Sequence, residues 1–579
     1  MSGAAGAAGG GATDDPGTVD PGTDDPGTDD VGAGHGNEST ESTESGATGR
    51  LVRSSAVVGV GTGLSRLSGL LRVGALTYAL GATTLSDAYN LANTTPNIIY
   101  ELILGGILSA TLVPIFVDHL ESHDEEGTST VVTVAVVCLA VLTLVALLAA
   151  PLIIHIYALR LPDDAARDQA AVAVPLLRLF IPQIFLYGLM SLGTALLNAR
   201  RSFFAPAYAP ILNNVVVIGV LVAFATIVGR SPTLGEVQND TALLLLLGVG
   251  TTAGIAAMTV ALWPAIRRAG IHLRFRFDLR HPSVRRVAKL SGWTLGYAAC
   301  NQVALFVVLA LATGEGAGAV SAYTYAFIFF QLPHGLLAVS IMTTFLPDLS
   351  AFAARGDLAG FRDRFGLGSR LLILVILPAA VGYVLLARPV IAALLERGAF
   401  GDASGDLTAE VLAAMALGLV GFSVYLFVLR GFYALKDTRT PFFLNLFENA
   451  VNIGLAFALV GRLGAQGLAL AYAAAYSAAG LLAVFTLRRR IGGIDGRRTV
   501  GAVVKMAVAA LVMGAAVVVA RQLVGSNTGI GAVARTVVGV VVGMAVYLGA
   551  LYALRLPELH ELVDRLQQRR GRKAASPAL

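Results

Sequence analysis

The sequence predicts an all-α integral membrane protein, and three observations support this fold class. The chain of 579 residues is 55% hydrophobic and only 14% charged, whereas soluble domains carry about 25% charged residues. Several stretches are nearly free of charge, among them 131–148, 243–262, 371–386 and 533–554, and about 20 apolar residues cross a bilayer as a helix. These stretches are continuously apolar rather than alternating, which favours helices over strands.

We predict about fourteen transmembrane helices, arranged as two six-helix lobes with a parallel pseudo-two-fold repeat around a central cavity, followed by two C-terminal helices. The predicted spans are 55–79, 85–117, 131–158, 171–198, 205–229, 241–265, 286–313, 319–350, 369–395, 408–435, 441–460, 464–487, 500–523 and 531–554. The predicted segments are an acidic tail (1–50), an N-terminal lobe (51–266), a basic amphipathic linker (267–289), a C-terminal lobe (290–490), two extra helices (491–556) and a basic tail (557–579).

The first 49 residues differ in composition from the rest of the chain. They contain ten acidic residues, no Lys or Arg, and three copies of Asp-Pro-Gly-Thr. Such a segment buries too little apolar surface to offset the entropy of ordering, so we expect it to be disordered. A solvated spacer and a phosphorylatable docking tail are the two interpretations.

The positions of Lys and Arg predict that both termini are cytoplasmic. Cytoplasmic loops of membrane proteins are rich in these residues. The loops after the sixth and twelfth predicted spans and the C-terminal tail are strongly basic, whereas 231–240 and 314–320 contain no Lys or Arg. The linker around 275–289 is interpreted either as an amphipathic helix on the anionic inner leaflet or as a basic connector.

Two segments of the chain match at an offset of 235 residues. Pro206, Asn214, Ile218 and Gly219 correspond to Pro441, Asn449, Ile453 and Gly454. Because an even number of spans separates the copies, both lobes enter the membrane in the same orientation. This is a parallel repeat, which is typical of transporters with a central binding site.

Composition and motifs also exclude several classes of function. The two cysteines, Cys138 and Cys300, lie in apolar stretches and are expected to be buried free thiols. The net charge of +5 arises from basic residues at span ends and does not indicate nucleic-acid binding. No phosphate-binding loop, metal-spaced His pair or nucleophile elbow is present. We therefore expect no enzyme activity, no metal site and no cofactor, and an energy source that is a Na⁺ or H⁺ gradient or the membrane potential.

The first span contains two arginines that suit an anionic substrate. Arg66 and Arg72 lie in the run that begins at Ser65, and six residues at 100° place them about 120° apart on a helix. Guanidinium groups bind phosphate oxygens in a bidentate manner, so we predict a diphosphate site formed by Ser65, Arg66 and Arg72. The alternative is that Arg72 snorkels or pairs with Asp87.

The second span carries a polar stripe. Its members are Asp87, Asn90, Thr94, Asn97 and Glu101. Steps of three and four place them on one helix face, which predicts either the lining of a hydrated cavity or an interhelical hydrogen-bond seam.

Other polar residues at membrane depth are also candidates for the cavity. They are Arg178, Asn301, Gln302, Tyr325, Gln331, Glu448 and Asn452. Arg178 and a further residue, Arg430, have structural ion pairing as an equal alternative.

The motifs of the first two spans resemble those of the MurJ/MviN lipid II flippase family. They are Ser65-Arg-Leu-Ser-Gly-Leu-Leu-Arg72, Ser86-Asp-Ala-Tyr89, Thr95-Pro-Asn97 and Val113-Pro114. Weaker matches, including Leu176-Leu-Arg178, Gln331-Leu-Pro333 and Leu346-Pro347, keep the order of the family over residues 52–555.

The resemblance implies a fold of the multidrug and polysaccharide exporter superfamily, with two additional helices that form a groove for a polyprenyl tail. It implies a bacterial cytoplasmic-membrane flippase for lipid II, which is undecaprenyl-diphosphate carrying a disaccharide-pentapeptide, working by alternating access. It also implies partners among membrane lipids and the cell-wall synthesis and division proteins. Alternatives are an exporter of another polyprenyl-linked glycan, a multidrug-type cation antiporter, and a non-transporting scaffold.

The chain departs from the Gram-negative pattern of this family at several charged positions. Tyr100-Glu101 stands where those members have two arginines, and Phe327-Ile328 where they have an Asp-Arg pair. These replacements resemble the high-GC Gram-positive branch and imply that the headgroup is held by a different set of residues.

Overall fold

The computed structural model describes residues 38–101, 112–229, 233–494 and 496–559. Residues 1–56 form one unit and residues 57–579 another. Of the predicted tail, residues 1–37 lie outside the described residues. Residues 38–50, expected to be disordered, instead belong to the first helix, whose start is rich in glutamates that suit a helix N-terminus.

The N-terminal lobe is built from ten helices within the described ranges. They are α1 (Glu38–Leu80), α2 (Thr84–Tyr100), α3 (Val113–Glu121), α4 (Glu125–Tyr157), α5 (Asp163–Phe180), α6 (Pro182–Ala199), α7 (Phe204–Val228), α8 (Leu234–Asn239), α9 (Thr241–Val260) and α10 (Trp263–Arg268). Pro182 begins α6 immediately after α5, since proline suits the first helical turn and lacks the N–H needed further along.

The C-terminal lobe and the two extra helices complete the fold. They comprise α11 (Pro282–Thr313), α12 (Ala319–Pro333), a π-helical turn (His334–Ala338), α13 (Val339–Ala354), α14 (Leu358–Leu395), α15 (Asp402–Ala416), α16 (Leu419–Ala434), α17 (Arg439–Arg490), α18 (Gly496–Leu523) and α19 (Gly529–Ala553). Helix α17 consists of two arms, because Gly464 has a non-helical backbone (φ 57°, ψ −141°) that glycine adopts without steric cost.

The number and polarity of the helices are those of a multi-pass membrane protein. Within the described ranges, ten helices are long and apolar enough to cross a membrane, or eleven if α15 and α16, bent by 48°, count as one span. Large apolar side chains face outward, for example Leu148, Leu481 and Leu511, each 74–75% exposed, as lipid-facing residues are. The count of fourteen is consistent with these helices and stays a prediction.

Equivalent contacts in the two lobes confirm the internal repeat. Asn214 of α7 donates to the Ser68 hydroxyl (2.9 Å) and the Ser65 carbonyl (3.3 Å) of α1. Its counterpart Asn449 in α17 donates to Asn301 of α11 (3.0 Å). In each lobe, therefore, the repeated asparagine binds the fifth span to the first.

The linker between the lobes is not a single amphipathic helix. Helix α10 ends at Arg268, residues 271–280 are non-helical, and α11 begins at Pro282. The non-helical part runs along α4, where the N–H groups of Arg274 and Arg276 donate to Ser129 (3.2 Å) and Thr133 (3.1 Å). Hydroxyls of α4 thus hold this segment by its backbone.

The two C-terminal helices pack on α14 through a separate apolar core. At one end, Arg370 of α14 pairs with Glu558 (2.5 Å), and both side chains are only 4% exposed.

The two cysteines are free, and Cys138 is exposed while Cys300 is half-buried. Burial of Cys138 was therefore a wrong expectation, because its face of α4 is turned away from the protein.

Candidate functional site

The two lobes meet at one end through a buried carboxylate. Asp87 of α2 accepts hydrogen bonds from the Gly318 N–H (2.7 Å), the Ser321 N–H (2.8 Å) and the Ser321 hydroxyl (2.6 Å). These donors form the start of α12, where unpaired N–H groups and the helix dipole favour a negative charge. Asp87 of one lobe thus caps a helix of the other lobe.

Further contacts surround this carboxylate. The Ser86 and Tyr325 hydroxyls lie 2.8 Å apart, and Asn90 donates to Ser321 (3.0 Å). Gly318 has a φ of 86°, and a Cβ there would lie 2.3 Å from the Ala82 carbonyl oxygen. We call the contacts of Asp87, Ser86 and Asn90 with α12 the outer joint, since the predicted orientation places them on the extracellular side.

An ion pair joins the lobes at the same end. Arg160, which follows α4, pairs with Glu315 (2.7 Å) and donates to the Leu311 carbonyl (2.8 Å). The backbone of Ala399 also donates to the Tyr78 carbonyl (2.9 Å). At this end the lobes are therefore held together by side-chain and backbone contacts.

Between the lobes lies a cavity of about 600 Å³, which we call the central cavity. Its N-lobe wall comes from α1, α2 and α7, and its C-lobe wall from α12, the π turn, α13 and α16. Its polar and charged lining residues are Arg66, Arg72, Asn90, Asn93, Thr94, Asn214, Thr324, Tyr325, Gln331 and His334. Among the described residues that line it, none is acidic, so the cavity presents positive charge and hydrogen-bonding groups.

The two arginines of α1 both reach this cavity. Arg66 is exposed to it and Arg72 is half-buried. The Arg66 guanidinium lies against the π turn of the other lobe, because a Cβ at Gly335 would stand only 2.3 Å from Nη1. Glycine at this position therefore lets a cationic side chain of the N-lobe contact the C-lobe backbone.

Six of the residues predicted from the sequence come together here. They are Arg66, Arg72, Asn90, Thr94, Tyr325 and Gln331. They come from α1 and α2 of one lobe and from α12 of the other, so each lobe supplies part of the lining.

Other predicted residues of the N-lobe lie elsewhere. Ser65 offers its backbone carbonyl to Asn214, and Asp87 is in the outer joint rather than in the cavity. Asn97 donates to the Asn93 carbonyl (3.0 Å) within α2. Glu101 follows the end of α2, and Arg178 has an exposed side chain in α5; neither lines the central cavity. The polar stripe of α2 is thus divided between joint and cavity.

The predicted residues of α11 and α17 lie inside the C-lobe. Asn301 accepts from Asn445 (2.8 Å) and Asn449 (3.0 Å), and Gln302 beside it is half-buried. Glu448 is fully buried, and neither of its carboxylate oxygens has a hydrogen-bond partner among the described residues. The side-chain oxygen of Asn452 likewise has none within the described part.

Sequence reasoning missed several residues of the site. The cavity is also lined by four residues that were not predicted as site residues: Asn93, Asn214, His334 and Gly335. Of these, the sequence analysis named only Asn214, as a member of the internal repeat. The signal for His334 was an ionisable side chain within an apolar stretch, immediately after Pro333, which is uncommon at membrane depth.

Comparison with known proteins identifies the family. The family model described as "Lipid II flippase MurJ" matches residues 76–539. A probable lipid II flippase MurJ of Rhizobium meliloti is 30% identical over 73% of this chain and 77% of its own. The lipid II flippase MurJ of Burkholderia cenocepacia is 30% identical over 74% of this chain and 82% of its own.

Solved structures agree in fold. A lipid II flippase MurJ in an inward closed conformation has a TM-score of 0.70 at 22% identity, covering 86% of this chain and 98% of its own. An inward-facing multidrug resistance MATE family transporter of the MOP superfamily has a TM-score of 0.62 at 15% identity, covering 74% and 94%. Together with the family match over most of the sequence, this establishes that the chain belongs to the lipid II flippase MurJ family.

Proposed function

We propose that this protein is a lipid II flippase, which moves the undecaprenyl-diphosphate-linked precursor from the inner to the outer leaflet by alternating access. One observation carries the proposal: Arg66 and Arg72 line a cavity between the lobes whose described lining contains no carboxylate. A diphosphate offers several anionic oxygens to such a pair of guanidinium groups. A cationic drug would instead require an acidic lining, which argues against a multidrug-type antiporter.

A second cavity supports a substrate with a long apolar tail. It has a volume of about 240 Å³ and lies between α14, α18, α19 and the π turn. Its lining is mostly apolar and includes Leu337 of the π turn, whereas His334 and Gly335 of the same turn line the central cavity. A lipid whose diphosphate contacts Arg66 could therefore extend its tail past the π turn into this groove.

The arrangement of contacts suits alternating access. The outer joint and the Arg160–Glu315 pair close one end of the central cavity. Release on that side requires these contacts to break while the contacts within each lobe persist. The substrate can shift this equilibrium only by binding the two arrangements with different affinity.

Glu448 is our proposed site for a coupling ion, H⁺ or Na⁺. A buried carboxylate without a partner is costly, so it is expected to bind a proton or a cation. The unpartnered oxygen of Asn452 could contribute to a Na⁺ site.

Imposed pH and Na⁺ gradients test this site. They should stimulate transport by the native protein but not by Glu448→Gln, whereas the control Glu410→Gln, at an exposed position, should respond normally. A normal response of Glu448→Gln would refute this site, whereas no response of the native protein to either gradient would leave the membrane potential as the energy source.

We further propose that the protein is located in the bacterial cytoplasmic membrane with both termini inside, beside cell-wall synthesis and division proteins. The linker supports contact with the inner leaflet. Leu273, Phe275, Phe277 and Leu279 are 43%, 83%, 49% and 55% exposed. They alternate with Arg274, Arg276, Asp278 and Arg280 along a non-helical segment. Alternation places them on one side of the segment, where they can enter the lipid while arginines meet anionic headgroups.

The decisive experiment measures lipid II on the outer leaflet of cells depleted of their own flippase and carrying this gene. The native chain should restore exposure, and Arg66→Ala should abolish it at unchanged membrane abundance. Arg167→Ala is the control, because Arg167 pairs with Asp164 on the surface, both side chains being at least 76% exposed. Full restoration by Arg66→Ala would refute the site. No restoration by the folded native protein would favour another polyprenyl-linked glycan.

A further inference from the structure

We infer that His334 is the C-lobe ligand of the substrate's diphosphate, donating a hydrogen bond from Nε2 while Ser423 holds its ring in place. This inference rests on the proposed function and adds a binding residue from the second lobe. The site would then span both lobes, with Arg66 and Arg72 on one side and His334 on the other.

His334 is held in a defined position. It begins the π turn, is only 6% exposed and lines the central cavity. Its Nδ1 lies 3.0 Å from the Ser423 hydroxyl of α16. Its ring packs edge-on against Phe422, with 4.7 Å between the ring centroids. Helix α16 therefore fixes the orientation of the imidazole.

The hydrogen bond to Ser423 also determines what the ring can offer the cavity. In a neutral imidazole one nitrogen donates and the other accepts. If the Ser423 hydroxyl donates to Nδ1, the proton lies on Nε2. This Nε2 has no hydrogen bond to any described residue and is not among the buried unpartnered atoms. It is therefore open to the cavity as a donor, and phosphate oxygens accept hydrogen bonds.

The charges around His334 favour an anion. Arg66 of the N-lobe and Arg430 of the C-lobe both lie close enough to act electrostatically on its ring. Arg430 follows Ser423 by seven residues, which places the two on the same face of α16. Positive groups from both lobes thus act on the imidazole, and the π turn brings Gly335 against the Arg66 guanidinium.

A site shared between lobes would link binding to the conformational change. The π turn belongs to the C-lobe and Arg66 to the N-lobe, so the distance between His334 and Arg66 depends on how the two lobes are arranged. A rearrangement that separates the two residues would remove ligands from one side of the diphosphate and lower its affinity. Release of the substrate would follow from the same movement that exposes it.

The test is binding of undecaprenyl diphosphate and lipid II to the purified full-length protein in detergent micelles. His334→Leu should weaken the binding of both ligands by tenfold or more, because a hydrogen bond to a charged phosphate oxygen is lost. His334→Gln, which keeps an N–H donor, should recover much of the affinity, and Ser423→Ala should show a smaller loss. His155→Leu is the control, because His155 is exposed at the end of α4 and outside the cavity.

The outcomes separate this inference from the proposed function. Native affinity in His334→Leu, with binding lost in Arg66→Ala, would overturn the role of His334 and leave the flippase proposal intact. If the native protein binds neither ligand, the flippase proposal itself fails. If His334→Leu does not fold, His334→Gln and Ser423→Ala decide: equal tenfold losses in both would indicate a packing role and overturn the inference.

Discussion

Replacing Asp87 by Asn should open the outer end of the central cavity. The Asp87 carboxylate accepts three hydrogen bonds from the start of α12 and is 4% exposed. Asn has nearly the same size but only one accepting oxygen, and its amide N–H groups would face at least one of the N–H donors of α12. The contacts within each lobe are unchanged, so only the closed arrangement of the two lobes loses stability.

The size of the effect follows from these contacts. One buried donor left unsatisfied costs about 1–3 kcal/mol, and loss of the charge at the helix N-terminus adds about 1 kcal/mol. The closed arrangement should therefore lose about 2–4 kcal/mol relative to the open one. Since about 1.4 kcal/mol corresponds to a factor of ten, the equilibrium shifts toward the open arrangement by a factor of roughly 30 to 700.

Labelling of a cysteine in the cavity measures this shift. Gln331 lines the central cavity and is exposed to it, so Gln331→Cys, with Cys138 and Cys300 replaced by Ser, provides the probe. A membrane-impermeant maleimide added outside intact cells should label this probe much faster when Asp87→Asn is present.

The control replaces a carboxylate that caps a helix within one lobe. Asp240 accepts from the N–H groups of Ala242 and Leu243 at the start of α9, at the same end of the protein. Asp240→Asn should leave the labelling rate unchanged. Equal labelling rates in Asp87→Asn and the parent, with both proteins folded in the membrane, would refute the role of the outer joint.

Three further predictions concern other contacts. Gly335→Ala should displace the Arg66 guanidinium, since the added Cβ would lie 2.3 Å from Nη1, and should therefore reduce lipid II exposure at normal protein abundance. Gly219→Ala should leave lipid II exposure unchanged, because the added Cβ would have no neighbouring helix of the described part within 4 Å. Glu558→Gln should lower the melting temperature, because breaking a buried ion pair costs about 3–5 kcal/mol; an unchanged melting temperature would contradict this. Burial lowers the pKa of His119, in the last turn of α3, below 6.5. The folded protein then binds this proton less readily than the unfolded chain, so its stability should fall as pH drops below about 6.5, and His119→Gln should flatten that dependence in thermal unfolding.

Local patterns in the sequence were sufficient to predict much of the fold and part of the site. Continuous apolar stretches indicated membrane helices, because each lipid-facing helix must be apolar along its length. The repeat at Asn214 and Asn449 predicted two related lobes, and both residues make the equivalent contact. Arg66 and Arg72 were identified because charged residues at membrane depth are uncommon, and both line the central cavity.

Only the tertiary structure decided where the other polar residues point. The stripe of α2 lies on one helix face, yet Asp87 enters the outer joint while Thr94 lines the cavity, because the partner helix α12 meets α2 along only part of its length. Periodicity gives the face of a helix but not what lies opposite each turn. The non-helical linker segment depends in the same way on hydroxyls of α4.

The composition, the helical periodicity and the internal repeat of this chain by themselves determined a two-lobed membrane bundle with an arginine pair in its first span. The tertiary structure decided that these arginines meet the π turn of the opposite lobe, with His334 and Gly335 in the same cavity. Such a contact joins residues far apart in sequence, and its geometry is set by the packing of whole helices, which no local pattern of residues contains.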